Sequence, residues 1–185
     1  MSRKILVVVD MQNDFISGPL GNAECMGAVD AVVNVITTGD YDSILVTQDT
    51  HTPDYRNTNE GRHLPVVHCV DGTNGWECED RVKEALNGNK APKTYFKKGT
   101  FGSLSLAEYL TDAEHGIKNG PETQIDFCGV CTGICVISNV MLAKAALPEA
   151  DIRVLADACA CVTPESHKTA LAAMKLCQVE IVGEE

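Results

Sequence analysis

"KILVVVDMQNDF" runs from Lys4 to Phe15. Its first six residues are a short, β-branched run with no polar interruption, which is the pattern of a strand buried on both faces. Five further runs share that character: Ser43 to Thr47, Lys93 to Lys98, Thr123 to Val130, Asp151 to Ala156 and Gln178 to Val182. Between most of them apolar residues recur near helical spacing, over Ala23–Thr37, Trp76–Leu86, Ser103–Leu110, Thr132–Ala146 and Pro164–Leu176. Thr163 before Pro164 reads as an N-cap followed by proline at the first helical position. Strands that alternate with helices predict an α/β domain, a parallel sheet with helices on both faces. Asp49 to Gly75 is the one long irregular segment, and loops of that length are uncommon unless they carry function.

The chain has 185 residues, 44% hydrophobic and 22% charged. That suits a single domain over 1–185 with a substantial core. A formal net charge of −11 repels phosphate backbones, so no nucleic-acid partner is expected. No apolar run approaches a membrane span, and no membrane partner is expected. Asp10 interrupts the apolar stretch after Ser2-Arg3-Lys4 too early for a signal peptide. Nine cysteines in a chain of this size do not suggest a disulfide framework. A reducing cytoplasm is the expected compartment.

In such a sheet ligands gather at the carboxyl ends of the strands. Asp10 ends the first strand, Asp49 follows the second, Lys98 ends the third, and Cys131 and Cys135 follow the fourth. Four strands thus deliver polar groups to one edge. Cys135 falls in the first turn of its expected helix, where unpaired N–H groups and the helix dipole lower a thiol pKa. Backbone N–H groups of that turn could receive an oxyanion. A cysteine taken alone is more often a small buried hydrophobe, and Cys25, Cys159, Cys161 and Cys177 are read that way. Asp10, after five apolar residues, is either a general base steadied by Lys98 or half of a structural ion pair. Asp49, His51 and His68, with Glu60 between them, could form an open divalent-metal site or ordinary polar loop contacts. His63, His115 and His167 stand without companions in sequence. No Walker motif and no G-x-G-x-x-G follows the first strand, which argues against nucleotide binding.

With these residues in hand, the chain resembles the isochorismatase-like cysteine hydrolases, and among them the nicotinamidases. "LVVVDMQNDF" (Leu6–Phe15) matches the signature of the first strand, and its aspartate is Asp10. "YFKKGTF" (Tyr95–Phe101) matches the lysine segment, with Lys98 before the glycine. "GVCTGICV" (Gly129–Val136) matches the nucleophile motif, with Cys135 as its cysteine. "TQDTH" and "HCVDGTNG" match the nicotinamidase metal segments. The resemblance implies a Rossmann-like, three-layer α/β/α fold with a six-stranded, mostly parallel sheet. It implies catalytic Asp10, Lys98 and Cys135, and backbone N–H groups of Cys131 and Cys135 as an oxyanion hole after a cis Val130–Cys131 peptide. It further implies a divalent metal, zinc above others, on Asp49, His51 and His68, with Glu60 as an added acidic ligand. Phe15 and Leu20 would then wall the pocket of a small amide, nicotinamide first, and Cys128 would only pack. A homo-oligomer is the expected assembly. The alternatives are a metal-free relative that cleaves a carbamoyl or ureido amide or isochorismate, and a non-catalytic binding module. The chain departs from the pattern at Gly133, where the family carries Asp, Asn or Glu, and at Leu64-Pro65, where nicotinamidases carry Trp-Pro.

Overall fold

The computed structural model describes residues 3–183; the ends of the expected 1–185 domain, including Ser2, lie outside the described residues. Six strands form one sheet: β1 (Arg3–Val9), β2 (Ser43–Asp49), β3 (Lys93–Lys98), β4 (Thr123–Val130), β5 (Asp151–Ala160) and β6 (Glu180–Val182). Their order is β3-β2-β1-β4-β5-β6, and every neighbouring pair is parallel. Among the described residues seven α-helices accompany them: α1 (Asn13–Ile16), α2 (Ala23–Thr38), α3 (Asn59–His63), α4 (Asp80–Gly88), α5 (Leu104–Thr111), α6 (Ile137–Ala146) and α7 (Pro164–Leu176).

Alternation along β1 divides the core in two, because successive side chains of a strand face opposite ways. Ile5, Val7 and Val9 pack with Leu106 and Leu110 of α5, Val140 of α6 and Met174 of α7. Leu6 and Val8 pack on the other face with Val29, Val32 and Ile36 of α2 and Val82 and Leu86 of α4. This is the expected three-layer α/β/α arrangement.

The order of strands reverses direction between β1 and β4, so the connections leaving their carboxyl ends part and open a crevice there. Gly129 makes the close approach of these strands possible. Its φ is +118°, and a Cβ there would lie 2.1 Å from the Val9 carbonyl oxygen. Asp10, at φ +50°, turns the chain out of β1 into the crevice; the left-handed region is one that Asp enters more readily than most residues.

Three local readings change. The expected helix over Trp76–Leu86 begins only at Asp80. Its first residues are claimed by tertiary contacts: the Trp76 ring N–H donates to Thr50 Oγ1 at 2.9 Å, Cys78 bridges Gln12, and Glu79 caps α4 by accepting from the Val82 N–H. The segment Asp49–Gly75 is not wholly irregular, since it contains α3, which carries Glu60. The expected helix from Thr132 opens as a π-helical turn over Thr132–Val136, with the Val136 N–H donating to the Cys131 carbonyl at 3.1 Å.

Candidate active site

The crevice brings together the groups that four strands deliver. Lys98 stands at its centre, buried, at the end of β3. Its Nζ lies 2.6 Å from Asp10 Oδ2, 3.6 Å from Asp49 Oδ1 and 3.6 Å from Cys135 Sγ. Asp10 also accepts a hydrogen bond from Thr47 Oγ1 at 2.7 Å. Both carboxylates are buried, and such charges persist only when paired and hydrogen-bonded. One lysine serves both.

Burial pushes the Asp10 carboxyl above its ordinary value, against the pull of Lys98, and the Asp49 charge adds to the rise. Burial likewise pushes the Cys135 thiol well above its ordinary value; Asp10 adds to this and Lys98 opposes it. The expectation that a helix start would lower this thiol is therefore corrected. Desolvation and a neighbouring carboxylate outweigh the dipole of a single π turn. Burial thus favours the protonated form of both groups, and Lys98 opposes it at both. Lys98 stays charged: burial pushes it down, but Asp10, Cys135 and Asp49 together more than reverse this.

The second oxygen of Asp49 faces a separate group. His51 Nε2 is 2.9 Å and His68 Nε2 3.3 Å from Asp49 Oδ2, and each lies 3.8 Å from Glu60 Oε1. The four donor atoms lie within 4.8 Å of one another. His68 Nδ1 sits 2.8 Å from the Val66 carbonyl oxygen, which can only accept. That contact places a ring proton on Nδ1 and turns Nε2 toward the cluster, the usual orientation of a metal-ligating imidazole. Burial pushes Asp49 up, but hydrogen bonds with His51 and His68 and the Lys98 charge hold it below the usual carboxylate range. Two imidazoles and two carboxylates at this spacing fit a divalent ion.

Cys135 shares one cavity of about 420 Å³ with Asp49, Glu60 and His68 of this quartet, and Phe15, Leu20 and Cys131 also line it. The Val130–Cys131 peptide is cis. The family model for the isochorismatase domain matches residues 4–185. The chain belongs to the isochorismatase family.

Similar proteins cover nearly the whole chain. A nicotinamidase/pyrazinamidase of Mycobacterium tuberculosis is 26% identical, over 97% of this chain and 98% of its own. The crystal structure of a nicotinamidase from Bacillus subtilis is 25% identical with a TM-score of 0.78, covering 97% of this chain and 99% of that one. A pyrazinamidase of Pyrococcus horikoshii, solved in complex with zinc, is 25% identical with a TM-score of 0.75, covering 97% and 98%.

Against this family background, the fold brings every candidate residue of the sequence into one crevice. Phe15 and Leu20 lie on its wall. Cys128 is buried in β4, in the core on the α2 side. Cys131 lines the cavity, and its sulfur lies 4.0 Å from that of Cys25. His167, expected to stand alone, has its Nδ1 2.7 Å from Thr132 Oγ1 beside the nucleophile turn.

Three supporting residues escaped sequence reading. Thr47 anchors Asp10. Gln12 holds Asp49 through its backbone, accepting from the Asp49 N–H at 2.7 Å and donating to its carbonyl at 2.8 Å. Tyr55 packs against both His51 and His68, with ring centroids 4.6 and 4.9 Å apart. The available signal was polar residues at otherwise apolar strand ends: Thr47 lies directly opposite Val9 in the parallel register.

Proposed function

We propose that the chain, an amide hydrolase of the isochorismatase family, deamidates nicotinamide to nicotinate and ammonia through a thioester on Cys135. The observation that carries this reading is the shared cavity, lined by Cys135 and by Asp49, Glu60 and His68 of the quartet that His51 completes. Asp10 takes the thiol proton as Cys135 Sγ attacks the carboxamide carbon, and the backbone N–H groups of Cys131 and Cys135 receive the oxyanion. The tetrahedral adduct collapses, the C–N bond breaks, and Asp10 returns the proton to the departing ammonia. Asp10 then accepts a proton from water, which attacks the thioester; the acid leaves and the thiol is restored. Lys98 keeps its charge throughout and holds Asp10 ionised between steps.

Asp49, His51 and His68, with Glu60, would hold a divalent ion, and zinc suits two imidazoles with carboxylates. When bound, it supplies a Lewis-acid contact for a ring nitrogen. Metal analysis of protein never exposed to chelator is expected to find one divalent ion per chain, and His68→Ala is expected to lose it. A preparation free of metal yet fully active on amides would move the reading to a metal-free carbamoyl or ureido amidase.

Substrate choice gives the direct test. Nicotinamide presents a ring nitrogen and a carboxamide and is held at two points. Benzamide has the carboxamide alone. Fixing both ends of a reactant can lower a barrier by as much as ~7–11 kcal/mol, and even a small part of that separates the two. Nicotinamide should exceed benzamide in kcat/KM by at least about 10²-fold, and chelation should erase the difference. Comparable values before chelation would show that the quartet does not select the substrate.

Among the described residues no helix is long and apolar enough to cross a membrane, and all nine cysteines are free. A cytoplasmic enzyme of NAD salvage, built as one hydrolase domain and assembled as a homo-oligomer, fits this reading.

A further inference from the structure

Seven large hydrophobic side chains are exposed among the described residues, and three of them line the cavity that holds Cys135. Leu64 is 38% exposed, Phe101 46% and Val162 56%. They come from separate segments. Leu64 ends α3, Phe101 lies between β3 and α5, and Val162 lies between β5 and α7. Three independent loops thus place apolar surface at one mouth, where nothing in the thioester chemistry calls for it. The cavity of about 420 Å³ also falls in the size range of sites for drug-sized ligands, and nicotinamide is far smaller than such a ligand.

Ring geometry gives this mouth a direction. On the nicotinamide reading, on which this inference rests, the ring nitrogen faces the His51/His68 side and the carboxamide at ring carbon 3 faces Cys135. Ring carbon 5 is meta to both anchored positions and lies opposite the edge between them. Buried Lys98, 3.6 Å from both Asp49 Oδ1 and Cys135 Sγ and backed by Asp10, marks the floor between the two anchors. A ring held at both points therefore turns carbon 5 away from that floor and toward the open rim. We propose that Leu64, Phe101 and Val162 form a subsite for an apolar substituent at ring carbon 5. The enzyme's substrate class then comprises 5-alkyl and 5-aryl pyridine-3-carboxamides in addition to nicotinamide itself. The sharing of one rim by three side chains explains why they remain exposed in the free chain: their apolar partner arrives with the substrate.

The test compares nicotinamide with 5-butylnicotinamide. Calorimetry on metal-loaded Cys135→Ala protein reads binding without turnover. Burial of part of a butyl chain should tighten binding by about tenfold or more. Phe101→Ser and Val162→Asn, each placed in that background, should bring the ratio of the two Kd values toward one. Equal or weaker binding of the butyl compound overturns the subsite, and so does a ratio that ignores both rim substitutions. Light scattering of the same variants covers the competing occupant: rim substitutions that split an oligomer and leave the ratio unchanged would make this face a contact between copies of the chain. Should Cys135→Ala fail to fold, inhibition of the unsubstituted enzyme by 5-butylnicotinate against nicotinate gives the same ratio. Ammonia release from nicotinamide is measured alongside with the unsubstituted enzyme. Its absence defeats the nicotinamide reading, whereas its presence without a butyl preference defeats the subsite alone.

Discussion

Cys135→Ala is expected to lower kcat/KM for nicotinamide by at least about 10⁴-fold, the scale of loss when a covalent nucleophile is removed and only the oxyanion donors and binding remain. No other thiol is positioned to replace it. Lys98 Nζ lies 3.6 Å from the Cys135 sulfur, and Asp10 also acts on this thiol, which lines the cavity. Cys131 lines the same cavity, but its sulfur meets that of Cys25, and burial together with that contact pushes its thiol far above the ordinary range. Cys128→Ala is the matched control. That side chain is fully buried on the α2 side of the sheet, in the core. Its removal should cost some stability and leave activity within a few-fold of the parent. Steady-state kinetics of both variants, with circular dichroism to establish folding, decide the matter. Substantial turnover by Cys135→Ala would end the thioester mechanism, and mass spectrometry of the parent quenched during turnover should show the acyl group on the Cys135 peptide.

The fold was legible because the central strands β1, β2 and β4 are buried on both faces along most of their length. A run such as Ile5–Val9 has no polar residue to confuse its period, and such runs separated by helical spacing admit few arrangements. The site was legible for a related reason. Charged residues at the ends of those runs, such as Asp10 and Lys98, are too costly to bury without a purpose. What escaped is what tertiary contacts decide. Trp76 to Glu79 carry helical spacing, yet the bond from Trp76 to Thr50 and the bridge from Cys78 to Gln12 hold them in a turn and a bridge instead. Thr132 to Val136 read as the start of a regular helix, and only the structure gives the wider turn. The resting state of the thiol also depended on distance. A helix start argues for a lowered pKa, whereas Asp10 argues against it; the sequence brings the two to one sheet edge but does not weigh their burial against the helix start. His167 shows the same limit: no neighbour in sequence marks it, and its partner Thr132 belongs to another element.

Asp10→Asn should be the next most damaging substitution, with kcat/KM lower by about 10²- to 10⁴-fold, the usual contribution of a general base. Among the described residues, Asp10 is the carboxylate within salt-bridge distance of Lys98 that does not also meet the imidazoles, since Asp49 turns its other oxygen to His51 and His68. Lys98, also beside the sulfur, is held protonated. The pH dependence gives this role a sign. A base works only when ionised, so the rate is present above the Asp10 pKa and is lost as pH falls through it. Burial raises that pKa, so the acid limb of kcat/KM should lie above the ordinary carboxylate value of 3.8. Iodoacetamide alkylation of Cys135 should share that limb, because the same carboxylate removes the same proton. In Asp10→Asn the limb should vanish from both measurements, and alkylation at neutral pH should slow. A purely structural Asp10 predicts something different. Lys98 would lose its closest partner, at 2.6 Å, the melting temperature would fall, and the molecules still folded would follow the parent's pH curve. Melting temperature and pH profile therefore report on separate roles: a lower Tm with an unaltered profile would assign Asp10 to the ion pair alone, whereas loss of the limb at a temperature where the variant remains folded identifies it as the base.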